Sequence, residues 1–192
     1  HRFVGKFYTT VVTKTLESQL AQVGYAPKDI TYFALSHSHG DHTGNANAFA
    51  GSTWLVQKPE RDAMFSEKRT AAQRVLYSAL ANSQTRLLDG GDFDVFDDGT
   101  VVIKAAYGHT EGHQVLQVRL ARTGLIILAG DLYHYQEQRG TNKVGTNEFN
   151  PEQSAASRAA IEALIKKTGG QLWIEHDASN FKKLKLAPAY YE

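Results

Sequence analysis

Several short apolar, β-favouring runs in this 192-residue chain end at an imidazole or a carboxylate, and that placement constrains the fold more than any other feature. Residues 30–35 (ITYFAL) lead into His37 and His39, residues 101–105 into His109, residues 125–128 into Asp131, and residues 171–174 into His176. Runs of this length, rich in branched and aromatic side chains, read as strands. A sheet-based core that aligned their ends would gather these polar groups at one edge, as α/β enzyme sites commonly do.

The intervening segments supply the covering layers. Residues 13–23 place Leu16, Leu20 and Val23 at helical spacing, and Gly24 follows as a stop. A strand is predicted over 53–56, a helix opening near Pro59, and a helix over 71–81 with Val75, Leu76 and Leu80 recurring. Strands at 93–96, 101–105, 114–120 and 125–128, separated by Asp-Asp-Gly and Arg-Thr-Gly turns, form a mostly antiparallel meander. Residues 150–167 are helical, with Ala156, Ala160, Ile161, Leu164 and Ile165 on one face. With no linker or repeat, residues 1–192 form one domain.

Composition narrows the chemistry. Cysteine is absent, so any metal must be held by His, Asp or Glu. Net charge is +1, with 21 basic against 20 acidic residues, which gives no field for nucleic acid. No apolar run approaches the roughly 20 residues that span a bilayer. The partner expected is a small-molecule substrate, with a homodimer as a further option. The start at His1 instead of Met favours a processed or cropped chain, and with it a bacterial periplasmic or secreted setting over the cytoplasm.

The segment His37-Ser38-His39-Gly40-Asp41-His42 carries the strongest signal. Two histidines separated by one residue on extended backbone point the same way and can share a cation, while Asp41 and His42 reach a neighbouring ion if Gly40 turns the chain. A histidine-rich surface loop is the bland alternative for an isolated pair. Gly108-His109-Thr110-Glu111-Gly112-His113 offers two more imidazoles, either of which could be structural when taken alone; beside the first motif His109 becomes a third ligand for the first ion. Asp131 can bridge two cations, and His176 completes a second set with Asp41 and His42. Glu175 and Asp177 are candidates to orient these ligands, and Tyr133 and His134 lie where they could face a substrate.

In their order HSHGDH, GHTEGH, LAGD and IEHD, these motifs resemble the metallo-β-lactamase superfamily over most of the chain. The resemblance implies a four-layer αββα sandwich with a dinuclear, usually zinc, site. It places His37, His39 and His109 on one ion, Asp41, His42 and His176 on the other, Asp131 between them, and a proton-handling role on Asp41. The form GHTEGHQ and the retained Asp41 are closest to the lactonase branch, which implies opening of a cyclic ester such as an N-acyl homoserine lactone. A β-lactam, thioester or phosphoester substrate on the same site is the alternative, and a metal-storing or redox protein is the alternative of another class. Two positions depart from the pattern of many relatives: Glu111 stands where proline is common, and His134 where some lactonases carry tyrosine. The fold also implies several strands before the first helix, for which the residues ahead of Ile30 leave little room.

Overall fold

The computed structural model describes residues 2–4, 9–141 and 143–192, with side chains from residue 12 onward. His1 lies outside the described residues. A first antiparallel pair, β1 (Arg2–Val4) and β2 (Thr9–Val11), forms a two-stranded sheet of its own among the described residues. Helix α1 (Leu16–Gln22) follows, its N-terminus capped by the Thr15 hydroxyl, which accepts from the Ser18 amide. Its expected apolar stripe forms, yet Leu16 and Val23 remain exposed.

Three parallel strands, β3 (Tyr32–Ala34), β4 (Thr53–Gln57) and β5 (Thr85–Leu88), make one sheet in the order β3-β4-β5. The second sheet runs β10-β9-β8-β7-β6, built from β6 (Phe93–Asp94), β7 (Val101–Ala105), β8 (Gln114–Leu120), β9 (Gly124–Leu128) and β10 (Gln171–Trp173). Strands β6 to β9 form the antiparallel meander expected, and β10 joins β9 in parallel.

Strand alternation assigns the faces. Leu55 and Leu88 point inward and meet Ile103 and Leu116 between the sheets. Trp54 and Val56 point outward, beneath Met64 of α3 (Lys58–Met64) and beneath Tyr77 and Leu80. On the far side Val115, Ile127 and Leu172 pack against Ile161, Leu164 and Ile165 of α5 (Pro151–Thr168). Helix, sheet, sheet and helix give the four αββα layers.

Three local expectations are corrected. The predicted 71–81 helix stops after α4 (Ala71–Arg74) and resumes as a 3-10 turn, Ser78–Asn82. The Asn47 amide donates to the Val75 carbonyl and accepts from the Ala79 amide, both at 2.8 Å, and so takes both partners of the bond a continuous helix would need. Strand β6 ends at Asp94 instead of residue 96, because that carboxylate turns back to accept from the Phe96 and Gly99 amides. The first half of α5 buries Ser154 and Arg158 and leaves Ala156 and Ala160 exposed. Arg158 donates to the carbonyls of Leu132 and Lys143, which fixes the helix's rotation better than two methyl groups could.

Helix α5 is also tied to the loop after β9 by Arg139, which donates to both oxygens of Glu162 at 2.7 and 2.8 Å. The Arg139 hydrogen bond holds the Glu162 carboxyl below its ordinary range. A carboxyl depressed on folding adds stability above its unfolded pKa and loses it as pH falls through the folded value. Glu162→Gln should therefore be less stable than the parent at neutral pH, by no more than about 1 kcal/mol because solvent reaches the pair. Urea unfolding at a series of pH values should show the two curves converge on acidification.

Candidate metal centre

The first motif leaves β3 through bends at Ser36 and Ser38 and then coils. His37 lies between the bends, His39 is extended at the N-terminal end of the one-turn helix α2 (Gly40–Thr43), and Asp41 and His42 ride on that turn. Helical geometry, and not any special freedom of Gly40, separates the two pairs: a Cβ at Gly40 would meet only Leu76 Cδ1, at 3.4 Å.

His109 arrives from the loop after β7, Asp131 from the 3-10 turn after β9, and His176 from the loop after β10. His37 Nε2 stands 2.9 Å from His39 Nδ1, and His109 Nε2 stands 3.1 Å from the same atom. On the other side His42 Nε2 is 3.3 Å from His176 Nε2, and Asp41 Oδ2 is 3.4 Å from His176 Nε2. Asp131 lies between: Oδ1 is 2.9 Å from His42 and 3.1 Å from His176, while Oδ2 is 3.2 Å from His109 and 3.6 Å from His37. His37, His39, His109 and Asp131 thus form one donor set, and Asp41, His42 and His176 another.

These spacings suit a cation. An ion–nitrogen bond of about 2.0–2.1 Å puts neighbouring tetrahedral donors about 3.3 Å apart. Facing imidazole nitrogens otherwise need a proton between each pair, and His39 Nδ1 has two such neighbours. Burial keeps His37 and His39 well below the usual imidazole range, which leaves their lone pairs free to bind. Burial, the largest influence on His109, opposes its charge, but the neighbouring carboxylates of Asp131 and Glu148, at 3.2 and 3.5 Å, outweigh it and raise the group to about 9. Asp131 is 3 % exposed, and although burial works against its charge the surrounding imidazoles hold it far below the ordinary carboxylate range. A donor set of nitrogen and oxygen without sulfur fits zinc and its divalent neighbours.

Around the ligands stand residues that motif reading left open or missed. His113 is not in either set: its Nδ1 donates to the Ala106 carbonyl at 3.1 Å, and its Nε2 accepts from the Asp131 amide at 3.0 Å. Burial lowers this ring to about 3, so it stays neutral and able to accept. Gly130 makes room for it, having φ +52° and a position where a Cβ would lie 2.7 Å from His113 Nε2. Glu148 stands 3.5 Å from His109 Nδ1, and nothing in its local sequence marks it. Asp177 accepts from the Ser179, Asn180 and Gln136 amides, which steadies the loops that carry His176 and His134.

His134 is brought to the cluster, with Nε2 3.3 Å from Asp131 Oδ2 and its ring stacked on His176. Tyr133 is not. Its buried ring faces α5, beneath the Arg158 guanidinium at 4.7 Å, and burial pushes its hydroxyl up to about 12. The expectation that it meets substrate gives way to a packing role, because neighbours on extended backbone point to opposite sides.

Residues 9–170 match the model of the metallo-beta-lactamase superfamily, and the chain belongs to that family. It is 29% identical over 184 residues to the N-acyl homoserine lactonase AttM of Azorhizobium caulinodans, covering 91% of this chain and 68% of the relative. It is 27% identical over 171 residues to the N-acyl homoserine lactonase AiiA of Bacillus thuringiensis subsp. kurstaki, covering 89% and 65%. Among solved structures, an N-acyl homoserine lactone hydrolase with the product N-hexanoyl-L-homoserine at its catalytic metal center superposes with a TM-score of 0.79 and 26% identity, covering 91% of this chain and 67% of that one. The chain spans about two thirds of the length of these curated relatives. Among the described residues no helix is long and apolar enough to cross a membrane.

Replacing His113 with phenylalanine keeps a flat aromatic ring, slightly larger, but leaves the buried Asp131 amide without an acceptor and the Ala106 carbonyl without its donor. His113→Phe is expected to cost about 1–3 kcal/mol, measured by urea unfolding of the metal-free protein.

Proposed function

We propose that this chain is a metal-dependent hydrolase that opens the ring ester of an N-acyl homoserine lactone. The observation that carries the proposal is the position of Asp131, whose two oxygens each face a different set of imidazoles at 2.9–3.6 Å. The kinship with lactonases named for that substrate supports the choice of ester.

His37, His39, His109 and Asp131 would hold one divalent cation and Asp41, His42, His176 and Asp131 a second, with zinc the expected identity. When bound, such ions lower the pKa of water and stabilise a developing oxyanion. The residues supply the remainder. Asp41 is 59 % exposed at the mouth, and the carboxylate oxygen that does not face His42 and His176 can take the proton of the attacking water. His134, one third exposed beside Asp131 and His176, can turn its Nε2 donor from Asp131 to the substrate carbonyl as charge builds on that oxygen. Water adds to the carbonyl carbon, the ring C–O bond breaks, and the leaving alkoxide takes a proton to become the hydroxyl of the product. The new carboxylic acid ionises at neutral pH, so each turnover releases one proton.

A pH-stat assay of the zinc-loaded protein with N-hexanoyl homoserine lactone, a β-lactam, a thioester and a phosphodiester tests this reading. Lactone turnover is expected to dominate, to vanish after chelation or in His37→Ala, and to lose about 10²-fold in kcat in His134→Phe. Rapid β-lactam opening without lactone turnover would replace the substrate; tightly held redox iron with no hydrolysis of any substrate would overturn the enzyme class.

A further inference from the structure

The buried carboxylate of Glu60 belongs to no ligand set, and nothing in the proposed chemistry uses it. It sits in the first turn of α3, only 2 % exposed, and among the described residues it has no cation within ion-pair distance. A charge in that position must be offset by hydrogen bonds. Oε1 accepts from the Ser38 amide at 2.8 Å; Oε2 accepts from the Thr110 hydroxyl at 2.7 Å and from the Gly112 amide at 2.8 Å.

The identity of those donors gives the contact its meaning. Ser38 lies between His37 and His39, and Thr110 follows His109. One carboxylate therefore joins the two loops that deliver all three imidazoles of a single donor set; it grips the first loop between two of them, and among the described residues it accepts from no atom of Asp41 and His42, which ride on the helical turn beyond, or of His176. The close approach is built in from the other side as well: a Cβ on Gly112 would fall 2.4 Å from the Glu60 backbone nitrogen and 2.8 Å from its Cβ. Loop and helix can reach this separation only with glycine at 112.

We propose that Glu60 is a positioning residue that fixes the spacing of His37 and His39 against His109, and so sets the affinity and geometry of one of the two cation sites selectively. The inference rests on the metal-hydrolase reading. Glu60→Gln tests it at nearly constant volume. An amide has one acceptor end and one donor end, so whichever way it turns, the NH2 group faces a backbone N–H, that of Ser38 or that of Gly112. One loop must then move.

Cobalt(II) alone, titrated into the metal-free full chain against a competing chelator, is the probe, with visible absorption reporting coordination. For Glu60→Gln we expect one of the two cobalt equivalents to weaken about 10–100-fold with a changed absorption band, while the second equivalent keeps its parental affinity. Thr110→Val removes one donor without changing shape and should move the same equivalent by a smaller factor; it carries the test if Glu60→Gln fails to fold. A parent that takes up cobalt beside variants with unchanged affinities and spectra would overturn the clamp alone. Equal weakening of both equivalents in Thr110→Val would overturn it too. A parent that takes up no cobalt would sink the hydrolase reading and the clamp with it.

Discussion

Asp131 is the group around which the other polar residues must be arranged. Its buried carboxylate stands 2.9–3.6 Å from nitrogens of His37, His42, His109, His134 and His176, which come from four separate loops. An unpaired charge at that depth costs several kcal/mol, so something positive has to sit among these rings. In the bare chain the available positive charge is a proton. His109 is raised to about 9 and His42 is also raised, each against the pull of burial, while His37 is driven the other way. The cluster thus sorts imidazoles of one chemical type into proton carriers and open lone pairs, and divalent cations would meet the same demand more completely.

Such a centre can exist only because apolar packing and backbone hydrogen bonds hold its loops from outside. The inter-sheet layer of Leu55, Leu88 and Ile103 sets the distance between the strands that carry the first motif and those that carry His109 and Asp131. Closer in, each loop is gripped by a polar group with a definite acceptor role: Glu60 on Ser38, Thr110 and Gly112, His113 on Asp131, and Asp177 on Gln136. Each accepts from a backbone amide, so each fixes main chain and not merely a side-chain rotamer. This is the physical difference between a group of histidines that can meet and one that must.

The residues of the two candidate donor sets were legible in the sequence because their signal is short-ranged: a strand, then a donor, repeated along the chain. Glu60 was not, since its partners lie 22 to 52 residues away, and a glutamate in the first turn of a helix reads as an ordinary solvated cap. Glu148 was hidden for the same reason. The 71–81 helix misled because its interruption comes from Asn47, a residue outside the segment. Strand β5 was overlooked because Thr-Arg-Leu-Leu lacks alternation, although a parallel partner, β4, is enough to order it. Tyr133 and His134 were not separated because the sequence does not show that the backbone leaves the 3-10 turn extended at Tyr133, which sends the two neighbours to opposite sides.

Burial across the centre is uneven, and the unevenness bears on selectivity. His37, His109 and Asp131 are sealed, whereas Asp41, His134 and His176 are reached by solvent. The open side of the cluster is therefore that of Asp41, His134 and His176. The donor sets themselves polarise an ester, a β-lactam or a phosphoester by the same electrostatics. Discrimination has to come from the rim, where His134 stacks on His176 and where Arg69, donating to the Ser38 hydroxyl at 2.9 Å, stands 4.0 Å from Glu111. Under the proposed lactonase reading, selectivity would be set at this open side, by the hydrogen bonds and charges that side chains such as His134 present beside the buried donors.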